Sequence, residues 1–181
     1  MANAREKNVW DVHALELMDF PVYPPEEVMQ WLRDKIEDLN PGSVLDVGCG
    51  VGLMSCLFTS EQYCGIDQNE TMIAGAQENN LNYEFKLNSG WEITCDDARF
   101  DMVFTRAVVQ HNTEMDKSTL VSELVRVLSP GGHYLFCEDD FLTDGKSARQ
   151  DVVDYLEPFG LELVDTAASC SYLFSKRVKD V

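Results

Sequence analysis

The residues best suited to chemistry cluster where Val44-Leu45-Asp46-Val47 runs into Gly48-Cys49-Gly50-Val51-Gly52. A short β-branched run that stops at alternating glycines predicts a strand followed by a tight loop, and glycine there lets backbone approach a ligand closely. A nucleotide-containing ligand is the first expectation. A dinucleotide-binding loop places its third small residue five positions after its first, and that position here is Leu53, too large for the packing the pattern serves. A triphosphate-binding loop would need a Lys followed by Ser or Thr, which these glycines lack. Asp67 closes the next apolar run, Tyr63 to Ile66, at a position from which a carboxylate can accept both hydroxyls of a ribose. The plainer alternatives are a tight turn for the glycines and a helix N-cap for Asp67.

His111 is the candidate proton acceptor, because an imidazole with a reference pKa of about 6.5 exchanges protons near neutrality. Its alternative is a helix-start histidine satisfied by backbone. Glu138, Asp139 and Asp140 could face a cation, but the reading adopted for them is a solvated acidic loop, and no metal is assigned. Six cysteines without a Cys-x-x-Cys pair, and only three histidines, make no zinc-ligand pattern.

Positioning these residues requires alternating elements. After the first strand, Leu53, Met54, Leu57 and Phe58 recur at helical spacing; Glu70 to Glu78 is a second helix, Tyr83 to Leu87 a third strand and Met102 to Thr105 a fourth. Leu120 to Leu128 carries a buried helical face, Ser129-Pro130-Gly131-Gly132 stops it, and Tyr134 to Cys137 is a fifth strand. A helix near Ser147 to Leu156 precedes two runs, Leu161 to Thr166 and Ser171 to Val178, close enough for a hairpin. Upstream, Pro24-Pro25-Glu26-Glu27 starts a helix that ends near Leu39. The expected fold is α/β and doubly wound: a mostly parallel seven-stranded sheet with an antiparallel C-terminal strand. Residues 1–181 are expected as one domain, with 1–40 a helical cap and 41–181 the core.

Thirty-two acidic against 14 basic residues give a net charge of −18, which repels phosphate backbones and anionic headgroups, so neither nucleic acid nor a membrane is an expected partner. The basic stretch Lys176, Arg177 and Lys179 is read as a solvated edge. Trp10 to Phe20 is broken by Asp11, His13, Glu16 and Asp19, so no export signal is expected, and the cysteines are expected as free thiols in a reducing cytoplasm.

Taken together, Val44 to Gly52, Gly65-Ile66-Asp67, Phe100 to His111 and the run Leu124 to Leu135 resemble, in order and spacing, the class I S-adenosylmethionine-dependent methyltransferases. The resemblance covers roughly Pro41 to Phe136 and implies a Rossmann-like methyltransferase fold with S-adenosylmethionine as cofactor and S-adenosylhomocysteine as product. It implies that Gly48, Cys49, Gly50 and Gly52 admit the methionine part, that Asp46 helps hold its ammonium group, and that Asp67 takes the ribose hydroxyls. Gln68 and Met72 would lie near the adenine, and Thr105 and Arg106 would close over the methionine end. The acidic residue commonly found near the adenine amino group falls here at Ser89, within Asn88-Ser89-Gly90-Trp91, so Ser89, Gly90 and Trp91 join the expected cofactor site.

Methyl transfer from a sulfonium is an in-line displacement, so alignment and exclusion of water matter most. His111, on what the resemblance makes the substrate side, is the expected base, and Arg106 is the second expected catalytic group. Thr105-Arg106-Ala107-Val108 matches neither base-methylating motif, Asn- or Asp-Pro-Pro-Tyr or Pro-Cys, and looks closer to the small-molecule methyltransferases. The rival readings are a noncatalytic cofactor-binding sensor or partner subunit and an NAD-dependent oxidoreductase. Trp10, Phe20 and Tyr23 could line a lid over the cofactor, or belong to a helix packed on the sheet.

Overall fold

The computed structural model describes residues 23–138, 149–167 and 171–178, with Val12, Glu16, Met18 and Asp19 ahead of them. Helix α1 (Glu26–Leu39) begins at Pro25, whose carbonyl accepts from Val28 N (2.9 Å) and Met29 N (3.0 Å). Glu26 and Glu27 complement the positive end of its dipole. Val28, Met29, Leu32 and Ile36 form its buried face, and Asn40, at φ 42°, closes it in the left-handed conformation that asparagine tolerates.

Seven strands follow: β1 (Val44–Val47), β2 (Tyr63–Asp67), β3 (Glu84–Leu87), β4 (Phe100–Arg106), β5 (Leu128–Cys137), β6 (Leu161–Ala167) and β7 (Ser171–Lys176). They lie in the order β3-β2-β1-β4-β5-β7-β6, and β7 alone runs antiparallel, between β5 and β6. Chain order reverses at β1 and β4, which makes the carboxyl ends of these two strands the switch point where doubly wound sheets bind ligands. Register brings Val47 level with Thr105, Thr105 with Phe136 and Asp67 with Leu87, so the candidate residues share one edge of the sheet.

Alternation along the strands sorts the core into two layers. Leu45, Val47, Ile66, Val103 and Phe136 pack with Leu120, Val121 and Leu124 of α3 (Glu114–Val127) and with Val152 and Leu156 of α4 (Arg149–Leu156). Val44, Tyr63, Phe85, Met102, Phe104 and Leu135 pack with α1 and with Ile73 and Ala76 of α2 (Glu70–Asn79).

Three expectations need correction. The helix expected after the glycines is a 3₁₀ segment, Leu53–Leu57. The chain must leave it extended at Phe58, whose ring stacks on Tyr63 at 5.6 Å, and the longer rise of a 3₁₀ turn spans the gap in few residues. Helix α3 starts at Glu114 because Thr113 Oγ1 caps Asp116 N, and β5 starts at Leu128. Ser129-Pro130-Gly131-Gly132 is thus a bulged strand entry: pairing with β4 slips between Phe100 and Met102 to absorb it. Lys176 is no solvated edge, since its ammonium donates to Val125 O (2.7 Å) and Leu128 O at the end of α3.

Candidate functional site

Gly48 N and Cys49 N both donate to Ile66 O, at 2.8 and 3.0 Å, and bind the loop after β1 to β2. Gly48 and Gly50 have φ of 72° and 54°, values that side chains rarely adopt. Their surroundings differ. A Cβ on Gly48 would fall 2.3 Å from Val108 Cγ2, so this glycine is needed for packing. A Cβ on Gly50 would meet only Met72 Sδ, at 3.7 Å, leaving an open face where a ligand can reach backbone. Gly52 is packed like Gly48, against Phe85 and Asn80. The Cys49 thiol is buried, and burial pushes its pKa well up, so it is an inert packing group rather than a nucleophile.

Asp67 ends β2 beside that open face. Its Oδ2 accepts from Gly50 N at 3.0 Å and its Oδ1 from Asn69 N at 2.9 Å. Burial raises its pKa, and the backbone donors of Asn69, Gly50 and Gln68 oppose the rise. Asn69, not Asp67, caps α2, accepting from Met72 N at 3.0 Å. Gln68 is exposed, while Met72 is buried against Val51. Just past β3, Asn88 N donates to Asp67 O at 2.8 Å. Ser89 beyond it is exposed, Gly90 is buried near Leu120 and Val47, and Trp91 lies half-buried against the core.

Asp46 lies beneath the loop at 2% exposure and accepts from Tyr63 OH at 2.6 Å. Loss of water pushes its pKa up to about 7, against the opposing effects of the Tyr63 bond and the more distant Arg106 charge.

On the far side of the switch point, Thr105 and Arg106 belong to β4 itself. The Thr105 side chain is fully buried, with its Oγ1 2.9 Å from Tyr134 OH, and Arg106 is half-exposed. Ala107 turns the chain at φ 53°. His111 ends a 3₁₀ turn, Val109–His111, exposed at the rim, with its Nε2 3.3 Å from Gln110 Nε2.

Glu138, expected in a solvated acidic loop, is instead 1% exposed. It accepts from Val108 N (2.9 and 3.1 Å) and Gln110 N (3.2 Å), and burial outweighs these donors to raise its pKa to about 7. Asp139, Asp140, Trp10 and Phe20 lie outside the described residues, and Tyr23 is exposed. Sequence reasoning missed Tyr63, Val108 and Glu138 as parts of the site. Only Tyr63, at the start of the apolar run that ends before Asp67, held a signal.

An open glycine backbone after β1, a carboxylate at the end of β2 and a second acidic group under the loop lie together at the end of the sheet where doubly wound folds bind ligands. Comparison narrows the class. A family model for a methyltransferase domain matches residues 44–132. The chain is 30% identical over 147 residues to phosphoethanolamine N-methyltransferase 1 of Zea mays, covering 75% of this chain and 28% of that protein. It is 28% identical over 154 residues to the chloroplastic tocopherol O-methyltransferase of Arabidopsis thaliana, covering 78% of this chain and 41% of that one. The chain therefore spans less than half the length of these relatives. A TehB-like S-adenosylmethionine-dependent methyltransferase from Corynebacterium glutamicum superposes with a TM-score of 0.68 at 16% identity, covering 97% of this chain and 100% of that one.

Over residues 44–132 the chain belongs to the class I S-adenosylmethionine-dependent methyltransferase family. The cofactor of that family is S-adenosylmethionine, and S-adenosylhomocysteine is its product. The residues present fit that cofactor: of the loop glycines Gly48, Gly50 and Gly52, Gly50 is the one whose added Cβ would find open space, and it lies beside the carboxylate that ends β2. Among the described residues no cluster of His, Cys, Asp and Glu is placed to hold a metal, and no helix is long and apolar enough to cross a membrane.

Proposed function

We propose that this protein transfers a methyl group from S-adenosylmethionine to a small-molecule acceptor. The observation that carries the reading is the open backbone face at Gly50, beside the Asp67 carboxylate and in the same loop as Gly48, which meets Val108 of the β4–α3 connection. That all seven strands share one sheet supports reading residues 41–181 as the catalytic core and 1–40 as its cap.

Bound S-adenosylmethionine supplies an electrophilic methyl on a sulfonium. The protein's part is to bind, orient and exclude water. Gly48, Cys49, Gly50 and Gly52 shape the cradle, Asp46 holds positive charge below it, and Asp67 takes the ribose hydroxyls. Gln68, Met72, Ser89, Gly90 and Trp91 form the adenine side. Thr105 acts through its buried hydroxyl as support, while Arg106 and His111 face the acceptor, with His111 removing a proton where the acceptor is a hydroxyl or ammonium.

The net charge of −18 supports a small molecule over a phosphate backbone, and the small acceptors that the two plant relatives' names specify point the same way. The free thiols of the described cysteines support a cytoplasmic setting. The test is calorimetry with S-adenosylmethionine, S-adenosylhomocysteine and NAD, followed by a transfer screen over metabolite pools with labelled cofactor. Binding of the sulfonium cofactor without NAD binding, and with transfer to a metabolite, is the expected result. Binding without transfer to any metabolite, protein or nucleic acid would replace this reading with a sensor or partner subunit.

A further inference from the structure

We propose that Glu138 is a positioning residue that latches the β4–α3 connection onto the glycine loop, so that one buried carboxylate sets both the cofactor cradle and the placement of Arg106 and His111. The inference rests on the methyltransferase reading above.

Glu138 directly follows β5, and both its oxygens accept from the chain that leaves β4: Val108 N at 3.1 Å to Oε1 and 2.9 Å to Oε2, Gln110 N at 3.2 Å to Oε2. Successive N–H groups turned toward one point make an anion-binding concavity, and here the protein's own carboxylate fills it. The concavity exists because Ala107 takes φ 53°, a conformation that alanine does not choose unaided. The neighbouring Cys137 holds the other side of that turn, its carbonyl accepting from Ala107 N at 2.9 Å. The end of β5 thus imposes the turn on the end of β4.

The consequence reaches β1. With the turn imposed, Val108 lies directly over Gly48, where a Cβ would stand 2.3 Å from its Cγ2. The connection carrying the acceptor-side residues is therefore seated on the loop that holds the cofactor. A carboxylate serves here better than an amide of the same shape, because it presents acceptor lone pairs on both oxygens and no N–H to oppose the backbone donors.

The test compares the full-length chain with Glu138→Gln and Glu138→Ala by amide hydrogen exchange, thermal melting and calorimetry with S-adenosylhomocysteine. The latch predicts faster exchange at Val108 and Gln110, by about tenfold or more, with amides of Val103 and Leu135 unchanged. It predicts S-adenosylhomocysteine affinity weakened roughly three- to tenfold in the Gln variant and further in the Ala variant. Should Glu138→Ala not fold, Glu138→Gln decides alone. A lower melting temperature with uniformly faster exchange over β4 and β5 and unchanged affinity would overturn the proposal, since that is what a merely structural buried carboxylate gives. If the wild type binds no S-adenosylhomocysteine, the methyltransferase reading fails, and exchange alone decides the latch. Acceleration confined to residues 108–110 then upholds it, and unchanged exchange overturns it.

Discussion

The hydroxyl of Tyr63 donates to Asp46 Oδ2 at 2.6 Å inside the core, directly under the loop that begins at Gly48. Tyr63→Phe should destabilise the apo protein by ~1–3 kcal/mol in denaturant melts, because a buried acceptor loses its partner. It should also raise the Asp46 pKa further, since the Tyr63 bond holds it down. Unchanged stability would mean that the pair contributes nothing net.

The raised Asp46 pKa has a definite sign in stability. A carboxylate whose folded pKa of about 7 lies above its ordinary 3.8 favours folding while protonated, and that contribution is lost as pH rises through about 7. Asp46→Asn removes this loss while its amide oxygen still accepts from Tyr63. The melting temperature of the Asn variant relative to wild type should therefore climb between pH 4 and pH 8, by an amount on the order of 2–4 kcal/mol in stability. Cofactor affinity should fall in the same variant. A flat difference across that range would show that Asp46 is not the titrating group.

Asp67→Ala should weaken S-adenosylhomocysteine binding by ~1.5–3 kcal/mol, or roughly tenfold to a hundredfold. Because Asp67 also accepts from Gly50 N, melting should fall modestly as the loop loosens. Calorimetry that finds full affinity would remove Asp67 from the site.

Gly48→Ala and Gly50→Ala should separate packing from binding. Both meet left-handed strain costing about 1 kcal/mol. The Gly48 variant also drives a methyl into Val108, so it should unfold more readily, whereas the Gly50 variant should stay folded and lose cofactor affinity. Equal melting temperatures for the two would contradict this division.

His111→Ala should leave cofactor affinity nearly unchanged, because the ring is at the exposed rim, and lower turnover by on the order of 10²–10⁴ if it is the general base. Steady-state rates on an acceptor found by screening check this. A loss of only a few-fold would assign the rate to alignment alone.

How much of the site was legible depended on the range of the interaction. Asp46, the alternating glycines and Asp67 announce themselves because a strand end, a left-handed turn and a carboxylate at the next strand end are local patterns of residue type and spacing. The alternation of strands with helix-length links likewise implied the sheet, and the runs Leu161 to Thr166 and Ser171 to Val178 implied the hairpin that forms over Leu161–Ala167 and Ser171–Lys176. Local pattern failed where tertiary packing competes with it: Leu53 to Phe58 has helical spacing, yet the aromatic contact of Phe58 with Tyr63 draws the chain into a 3₁₀ segment. Glu138 read as solvent-facing because charge density along the chain says nothing of the N–H groups of Val108 and Gln110, which only the β4–β5 pairing brings to it. The sequence by itself determined the order of elements and which residue types stand in the glycine loop and at the strand ends, both local properties. Tertiary structure alone decided which carboxylates are buried and what each one holds, because desolvation and strand-crossing hydrogen bonds exist only once distant segments meet.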